Sequence, residues 1–538
     1  MSEAGALTSF MRKWRIDGVA LVASVATLIC ATPALAVFAL ALTRADDGAA
    51  FGGSLLRDGA IGTVSLMLAG GGGAILLGAA AAWLVSLCRF PGRHAFEWLL
   101  VLPLAAPSYI LAYAYASLTW AGGVSPIAVE GFWGAALVYA IGLYPYVYLA
   151  GRAAFASQSV CALEAARTLG AKPAHVFWRV ALPLARPGIA AGGALAMMEI
   201  AADYGAAHHF GLTTLSTAIF RAWYAHGAPS VALQISAVLL LGAIVFLVLE
   251  RRARGRASYA GASARWRPLP RYELRPLSAL AAIVFCSALV FFGALLPLAW
   301  LARLAALHAR VEDVVGPFVN SMLLSGGGAL VTLALAAAIA VAARRTSGLG
   351  KGSLYAAAMG YAAPGAVLAM GALAVFGLAR EADWVGGFGA GLALTALIWS
   401  YAARFASAGV QPIDAGLARL SRGLDASART LGAGPWRRFA RVDLPIAAPS
   451  LAAAALILFV EILKELPATL ILRPFDFDTL AVKAYSYASD ERLLEAATPA
   501  LLIFVAGLLP ILLLTRGIGE ARPGRRPHVH VLARAGDQ

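Results

Sequence analysis

Charge is what this chain lacks most. Of its 538 residues only 13% are Asp, Glu, Lys or Arg, against about 25% in a soluble domain. A disordered chain needs high charge and little apolar residue, so disorder is excluded. Acidic residues are the scarcer sign, 28 against 43 basic ones, leaving a net charge of +15. Cysteine is rarer still: four residues, at 30, 88, 161 and 286, with no CxxC pair. That spacing supports neither a zinc site nor a disulfide framework, and isolated thiols in apolar segments are expected instead. The eight histidines join no serine or carboxylate in a catalytic spacing, which argues against a membrane enzyme.

What is abundant is apolar residue: 61% of the chain, with a mean hydropathy of +0.77. A span needs about 20 mostly apolar residues to cross about 30 Å of hydrocarbon. Its backbone must bond within itself, so each such run is expected to be a helix. Spans are predicted from near Gly18, Gly62, Phe96, Phe132, Gly188 and Pro229, and again from near Leu277, Phe318, Ser353, Gly386, Ser450 and Glu495. The fold class that follows is an all-α polytopic membrane protein of about 12 helices, in two sets of six. Arg12, Lys13 and Arg15 precede the first run, and Pro33-Ala34-Leu35-Ala36 has the look of a cleavage site. The run from Gly18 to Thr43 is longer than the roughly 7–15 apolar residues of a signal peptide, so an uncleaved first span is expected.

The basic residues test this count. With the N-terminus inside, the outer segments hold only Arg44, Arg57, Arg221, Arg303, Arg310, Arg380, Arg473 and Arg492, and Lys464 and Lys483 lie in or near a span. All the others fall inside, as the positive-inside rule requires. The net charge is thereby explained without nucleic acid, and no nucleic-acid partner is expected. The expected divisions are a first transmembrane domain, 1–250, a basic cytoplasmic linker, 251–276, a second transmembrane domain, 277–515, and a basic cytoplasmic tail, 516–538. His528 and His530 are read as residues of that tail rather than as metal ligands.

The halves repeat. With a shift of 262 residues, 19 of 43 positions are identical between 164–206 and 426–468. Ala166-Arg167-Thr168-Leu169-Gly170-Ala171 recurs as Ala428-Arg429-Thr430-Leu431-Gly432-Ala433, and Pro173, Arg179, Leu182-Pro183, Pro187 and Glu199 recur as Pro435, Arg441, Leu444-Pro445, Pro449 and Glu461. Upstream, Ala105-Ala106-Pro107 matches Ala362-Ala363-Pro364, and the glycines at 70–73 match those at 326–328, with a small insertion between. Equal span counts make this a parallel repeat, with the two domains expected to face each other around a central path.

The halves agree best in a cytoplasmic loop between their fourth and fifth spans. Short helices are expected there, from Leu163 to Leu169 and from Pro173 to Val180, with Gly170 as a C-terminal cap and Pro173 in a first turn. Glu164-Ala165-Ala166, Gly170 and Leu182-Pro183 resemble the EAA loop of bacterial ABC importer permeases. The second copy keeps Ala428, Gly432, Leu444 and Pro445, but has Ala426-Ser427-Ala428, with Asp425 just before, where Glu-Ala-Ala would stand. The resemblance implies a coupling helix in each half that docks on a cytoplasmic ATPase, and covers nearly the whole chain as two fused copies. The chain itself is not expected to bind ATP. Its tempting segment, Ser347 to Ser353, has Arg345 where a P-loop needs its first glycine, and Gly352 after the lysine. No cofactor is therefore expected on this chain; ATP belongs to the partner.

Ionisable residues inside spans are costly and become functional candidates by default. The fifth span of each half carries a pair on one helix face, Glu199 with Asp203 and Glu461 with Glu465, and Lys464 adjoins the second. Two readings stand: a carboxylate-lined route for a cation, or helix–helix hydrogen bonding and ion pairing. Around them, Asp203-Tyr204-Gly205, Phe210-Gly211 and Ile219-Phe220-Arg221-Ala222-Trp223 resemble the first half of ferric-iron uptake permeases. Lys464-Glu465-Leu466-Pro467-Ala468-Thr469-Leu470, Leu472-Arg473-Pro474-Phe475, Phe477-Asp478-Thr479-Leu480 and Ala488-Ser489-Asp490-Glu491-Arg492 resemble the second. Carboxylate oxygens suit a hard cation.

That resemblance implies a periplasmic iron-binding protein, Fe³⁺ as cargo, two copies of the ATPase, and a place in the bacterial inner membrane with both termini cytoplasmic. No resident metal site is assigned. Candidate contacts to the binding protein are Arg221, Arg473, Asp476, Asp478, Asp490, Glu491 and Arg492. A thiamine permease is the alternative within the class, kept by Tyr204, Trp223 and Tyr224 as cation–π partners. A proton-coupled secondary transporter is the alternative outside it.

Overall fold

Long apolar runs without water to bond their backbone form helices here throughout. The computed structural model describes residues 18–43, 49–120, 129–156, 158, 168, 173–254, 271–308, 312–345, 354, 360, 363–382, 389–418, 430–431, 441–442 and 444–520. In the first half the helices are α1 (Gly18–Thr43), α2 (Ala49–Leu66), α3 (Gly72–Leu87), α4 (Arg93–Leu99), α5 (Ser108–Trp120), α6 (Gly131–Ala156), α7 (Pro173–Val176), α8 (Leu182–Ala202), α9 (Gly205–His209), α10 (Leu215–Phe220) and α11 (Pro229–Arg254). The second half has α12 (Pro276–Val290), α13 (Leu296–His308), α14 (Glu312–Arg345), α15 (Gly365–Glu381), α16 (Ala390–Leu417), α17 (Leu444–Leu463), α18 (Pro467–Leu472), α19 (Leu480–Ser489) and α20 (Leu493–Glu520). Among the described residues the sole extended pairing is parallel, β1 (Cys88–Arg89) with β2 (Tyr272–Glu273). It ties the end of the interdomain segment to the first half.

Eight helices among the described residues are long and apolar enough to cross a membrane, nine if the bent pair Arg93–Ala105 and Ser108–Thr119 is one span. The other three predicted spans overlap α15, α16 and α20, which fall short of that measure among the described residues. The protein is an all-α, multi-pass membrane protein built from two six-span repeats.

Three sequence expectations need correction. The third span is not straight but bends by 89°. Pro107 is the reason: a residue before proline avoids the helical region, and Ala106 is extended at φ −98°, ψ 124°. In the second half Pro364 likewise precedes the start of α15. The fifth span starts earlier than Gly188, since helix runs from Phe177 to Ala202. Its counterpart starts at Leu444 rather than Ser450. Pro445 lies in the first turn of its helix, where a missing N–H costs least, and Pro183 follows a wide helical turn at Phe177–Ala181.

The repeat is visible in matched contacts. A Cβ on Gly70 would lie 3.0 Å from Tyr139 and 3.3 Å from Ile200, and one on Gly328 would lie 3.5 Å from Tyr401 and 3.2 Å from Ile462. Tyr401 and Ile462 are the 262-residue equivalents of Tyr139 and Ile200. The glycine run at 70–73 does pack closely: a Cβ on Gly71 would stand 2.6 Å from Met197. The helices that follow each fifth span repeat as well. Thr214 and Thr479 cap α10 and α19. The first helical N–H of each then donates to a hydroxyl on the second span of its half, Leu215 N to Thr63 at 2.8 Å and Leu480 N to Ser321 at 2.7 Å.

Each half lends its first span to the other. On α1, Ile29 O accepts from Trp399 Nε1 of α16 at 2.7 Å, and Pro33 packs on Gly371 of α15. Reciprocally, Phe292 O accepts from the Tyr115 hydroxyl of α5, and Trp300 Nε1 of α13 donates to Ser117 at 3.0 Å. The crossing at Gly371 leaves no room: a Cβ there would lie 2.0 Å from Pro33 O. Gly371→Val is therefore expected to destabilise the protein by about 1–3 kcal/mol or more. A thermal scan of the purified protein checks it, and an unchanged Tm would contradict the exchanged packing.

Candidate translocation site

The bend of the third span meets the two fifth spans. There they enclose a cavity of about 90 Å³. Its walls include Ala106 to Tyr109 at the bend of the third span, Gly142 and Tyr146 halfway along α6, and Arg404 and Phe405 on α16. All five predicted path residues line it: Glu199, Asp203, Glu461, Lys464 and Glu465. The helical spacing seen in the sequence does bring the pairs of the two halves together. Four carboxylates face two cations, so the cavity carries an acidic excess.

The four carboxylates do different work. Asp203 and Glu465 sit where the fifth span of each half breaks into a short helix. Each accepts a backbone N–H three residues on: Asp203 from Ala206 at 3.3 Å, Glu465 from Ala468 at 2.9 Å. Glu465 also takes the Thr469 N–H at 3.0 Å, the Thr469 hydroxyl at 2.9 Å and the Arg404 guanidinium at 3.2 Å, with its side chain only 1% exposed. Glu461 binds the Lys464 ammonium at 2.7 Å, both side chains remaining about a fifth exposed. Glu199 lies in the field of Arg404, Glu461 and Lys464. Bonding and ion pairing therefore account for Glu465, whereas Glu461 gives one oxygen to Lys464 and Glu199 lies half-buried at the cavity wall.

Among the described residues no three His, Cys, Asp or Glu side chains converge as a chelate. Removing Glu465 leaves Arg404 buried without its partner and two N–H groups without their acceptor. Breaking a buried pair in this way costs about 3–5 kcal/mol. Glu465→Ala is therefore expected to lose most of its folded yield and to melt early, with Glu465→Gln less affected. Wild-type melting of Glu465→Ala would contradict the anchoring role.

Beyond the cavity, tyrosine hydroxyls sew the halves together. Tyr109 donates to Lys464 O at 3.3 Å, Tyr224 to Leu470 O at 2.7 Å, and Tyr204 meets Tyr485 at 2.6 Å between oxygens. Of the candidate docking charges, Arg221 lies in the helical turn that continues α10, and the others lie at the ends of α18 and α19 or between α18, α19 and α20. Arg473 and Asp478 pair with each other. Arg492 bonds Glu495 at 3.3 Å and covers the ring of Tyr487. Arg221 donates to the Thr213 hydroxyl at 2.9 Å. Asp476, Asp490 and Glu491 are exposed, Asp476 and Glu491 with left-handed backbone at φ 64° and 60°. Phe475, beside Asp476, is fully exposed.

Of the coupling-loop candidates, Leu182 and Pro183 lie inside the first fifth span, and Leu444 and Pro445 begin the second. Glu164, Ala165, Ala166, Gly170, Asp425, Ala428 and Gly432 lie outside the described residues, as do the segment Ser347 to Ser353, Cys161 and the histidines of the tail. Cys30, Cys88 and Cys286 are buried free thiols. Sequence reasoning missed Arg404. A span started near Gly386 puts it at the inner boundary, among the inside basic residues, whereas α16 begins at Ala390 and carries it into the cavity. Its match to Gly142 in the shifted alignment was the available signal.

Two fused permease units around a charged central cavity define a membrane transport subunit. The family comparison agrees: the profile of the binding-protein-dependent transport system inner membrane component matches residues 74–256 and again 331–520. The chain belongs to that family. It is 28% identical to the Fe(3+)-transport system permease protein FbpB 2 of Haemophilus influenzae over 468 residues, 84% of this chain and 88% of the relative. It is 32% identical to the molybdenum transport system permease protein ModB of Escherichia coli over 196 residues, 34% of this chain and 86% of the relative. The sulfate transport system permease protein CysT of Synechococcus elongatus is 34% identical over 116 residues, 20% of this chain and 42% of the relative.

Proposed function

We propose that this chain is the permease subunit of an ATP-binding cassette importer for ferric iron. The single observation that carries the substrate class is the acidic excess of the mid-span cavity, four carboxylates against Arg404 and Lys464. A hard cation is stabilised by such oxygens, and an oxyanion is repelled. Sulfate, named for one of the relatives, is an anion, while Fe³⁺, named for the relative matched over most of the chain, is not.

The rest of the machine follows from the family. A periplasmic binding protein delivers the cation to the loops carrying Arg221, Arg473, Asp476, Asp478, Asp490, Glu491 and Arg492. Two copies of a separate cytoplasmic ATPase hold the coupling loops, through Glu164, Ala165, Ala166, Gly170, Leu182 and Pro183 in one half and Asp425, Ala428, Gly432, Leu444 and Pro445 in the other. ATP and its hydrolysis belong to those partners. Closure of the ATPase pair opens the cavity outward, and hydrolysis returns it. The protein sits in the bacterial inner membrane with both termini cytoplasmic, as domains 1–250 and 277–515 joined by the linker 251–276 and followed by the tail 516–538. Its other contact is membrane lipid.

Uptake of ⁵⁵Fe³⁺, labelled thiamine and labelled sulfate in cells lacking the chain, with and without its restoration, tests the assignment. Restored iron uptake supports it. Restored thiamine or sulfate uptake without iron overturns the substrate.

A further inference from the structure

The carboxylates of the central cavity are placed symmetrically and the cations are not. Glu199 and Asp203 of one half have Glu461 and Glu465 as their 262-residue equivalents. Arg404, however, stands where the first half has Gly142, and Lys464 stands where it has Ala202. All eight of these residues line the cavity. Both positive charges have thus been added from one side to an otherwise two-fold carboxylate arrangement.

The two cations are held differently. Arg404 is locked. Its partner Glu465 is saturated by two N–H groups and a hydroxyl and is closed off, and Gly365 packs against both side chains. The Lys464 ammonium group has one hydrogen bond among the described residues, to Glu461 at 2.7 Å, and its side chain is 21% exposed. Lysine carries a compact charge on a flexible four-carbon stem, so its ammonium group can leave Glu461 without unfolding anything.

We propose that Lys464 is a built-in counter-ion: its ammonium group occupies the carboxylate site of the empty cavity and is displaced from Glu461 by the arriving cation. This rests on the cation reading of the cavity and deepens it. At equal distance a trivalent ion attracts a carboxylate three times as strongly as an ammonium group does. Monovalent ions have no such advantage and are kept out by the resident charge. When Lys464 returns to Glu461 it competes with the cargo and favours its release. Lys464 is then a determinant of cation charge selectivity and not a further ligand.

The test uses the full-length chain, purified in a neutral detergent, with Tb³⁺ as the hard trivalent probe. Its emission is sensitised by tyrosines, and Tyr109 and Tyr146 line the cavity. Lys464→Met is expected to lower the half-saturating Tb³⁺ concentration at least about ten-fold, the equivalent of 1.4 kcal/mol. Lys464→Arg is expected to keep the wild-type value, and adding Glu461→Gln to Lys464→Met is expected to erase the gain. Lys464→Gln serves as a second neutral variant should the methionine protein fail to fold. Wild-type affinity in the neutral variants, or a gain that survives loss of Glu461, overturns the counter-ion. Because Tb³⁺ stands for any hard trivalent ion, this result is read separately from iron uptake by wild-type cells, which alone decides the cargo.

Discussion

Replacing Gly432 by Asp is expected to leave the protein inserted in the membrane and to stop ATP-driven uptake. Gly432 is the fifth residue of the six-residue segment that the halves share intact, and it repeats Gly170. Its neighbour Leu431 is 86% exposed, as suits a surface meant for a partner. The variant brings a side chain and a negative charge next to Leu431 in the chain. A disrupted interface anchor is worth about 2 kcal/mol or more, enough to lower uptake about 30-fold. Two readings are compared: the amount of chain in the membrane fraction, expected unchanged, and ⁵⁵Fe³⁺ uptake, expected near background. Hydrolysis by the ATPase should also lose its response to the loaded binding protein. Normal uptake with Gly432→Asp would remove this loop from the coupling mechanism.

The second large effect is expected at the cavity. Glu199→Gln combined with Glu461→Gln keeps the side-chain volumes and removes both accessible negative charges, leaving the locked carboxylate Glu465 and the cap Asp203 in place. Four carboxylates against two cations become two against two, and the attraction for a cation disappears. Uptake is expected to fall about 100-fold, some 2.7 kcal/mol, with melting close to wild type. The contrast with Glu465→Ala is deliberate: there stability falls first. Unchanged uptake in the double variant would return Glu199 and Glu461 to helix–helix bonding.

Much of this was legible in the sequence, for physical reasons. Apolar runs fix helices in a membrane, and the bias of Arg and Lys fixes their number, so the span count emerged without contacts. The 262-residue repeat placed Glu199 with Glu461 and Asp203 with Glu465, and the structure gathers all four around one cavity. The division of labour among them was not legible. Whether a carboxylate caps a helix or faces a cavity depends on where the backbone breaks, and Asp203 and Glu465 lie at the breaks while Glu199 and Glu461 lie a turn earlier. Arg404 escaped because a charge near a predicted boundary is assigned to the aqueous side, and a shift of a few residues in α16 reverses that. The exchange of first spans was also hidden. It rests on tertiary contacts such as Trp399 with Ile29, which no hydropathy pattern records. The 89° bend, in contrast, was available in Ala106-Pro107 and needed only the rule for residues before proline.

An acidic, ATP-driven path through the two halves is expected to carry a hard cation and not an oxyanion. The most direct measurement places the purified chain in lipid vesicles with its ATPase and loaded binding protein, and follows ⁵⁵Fe³⁺ and ³⁵S-sulfate with and without ATP. ATP-dependent accumulation of iron, absent for sulfate and lost in the Glu199→Gln, Glu461→Gln variant, is the expected result. Accumulation of sulfate, or iron movement indifferent to ATP, would contradict the account.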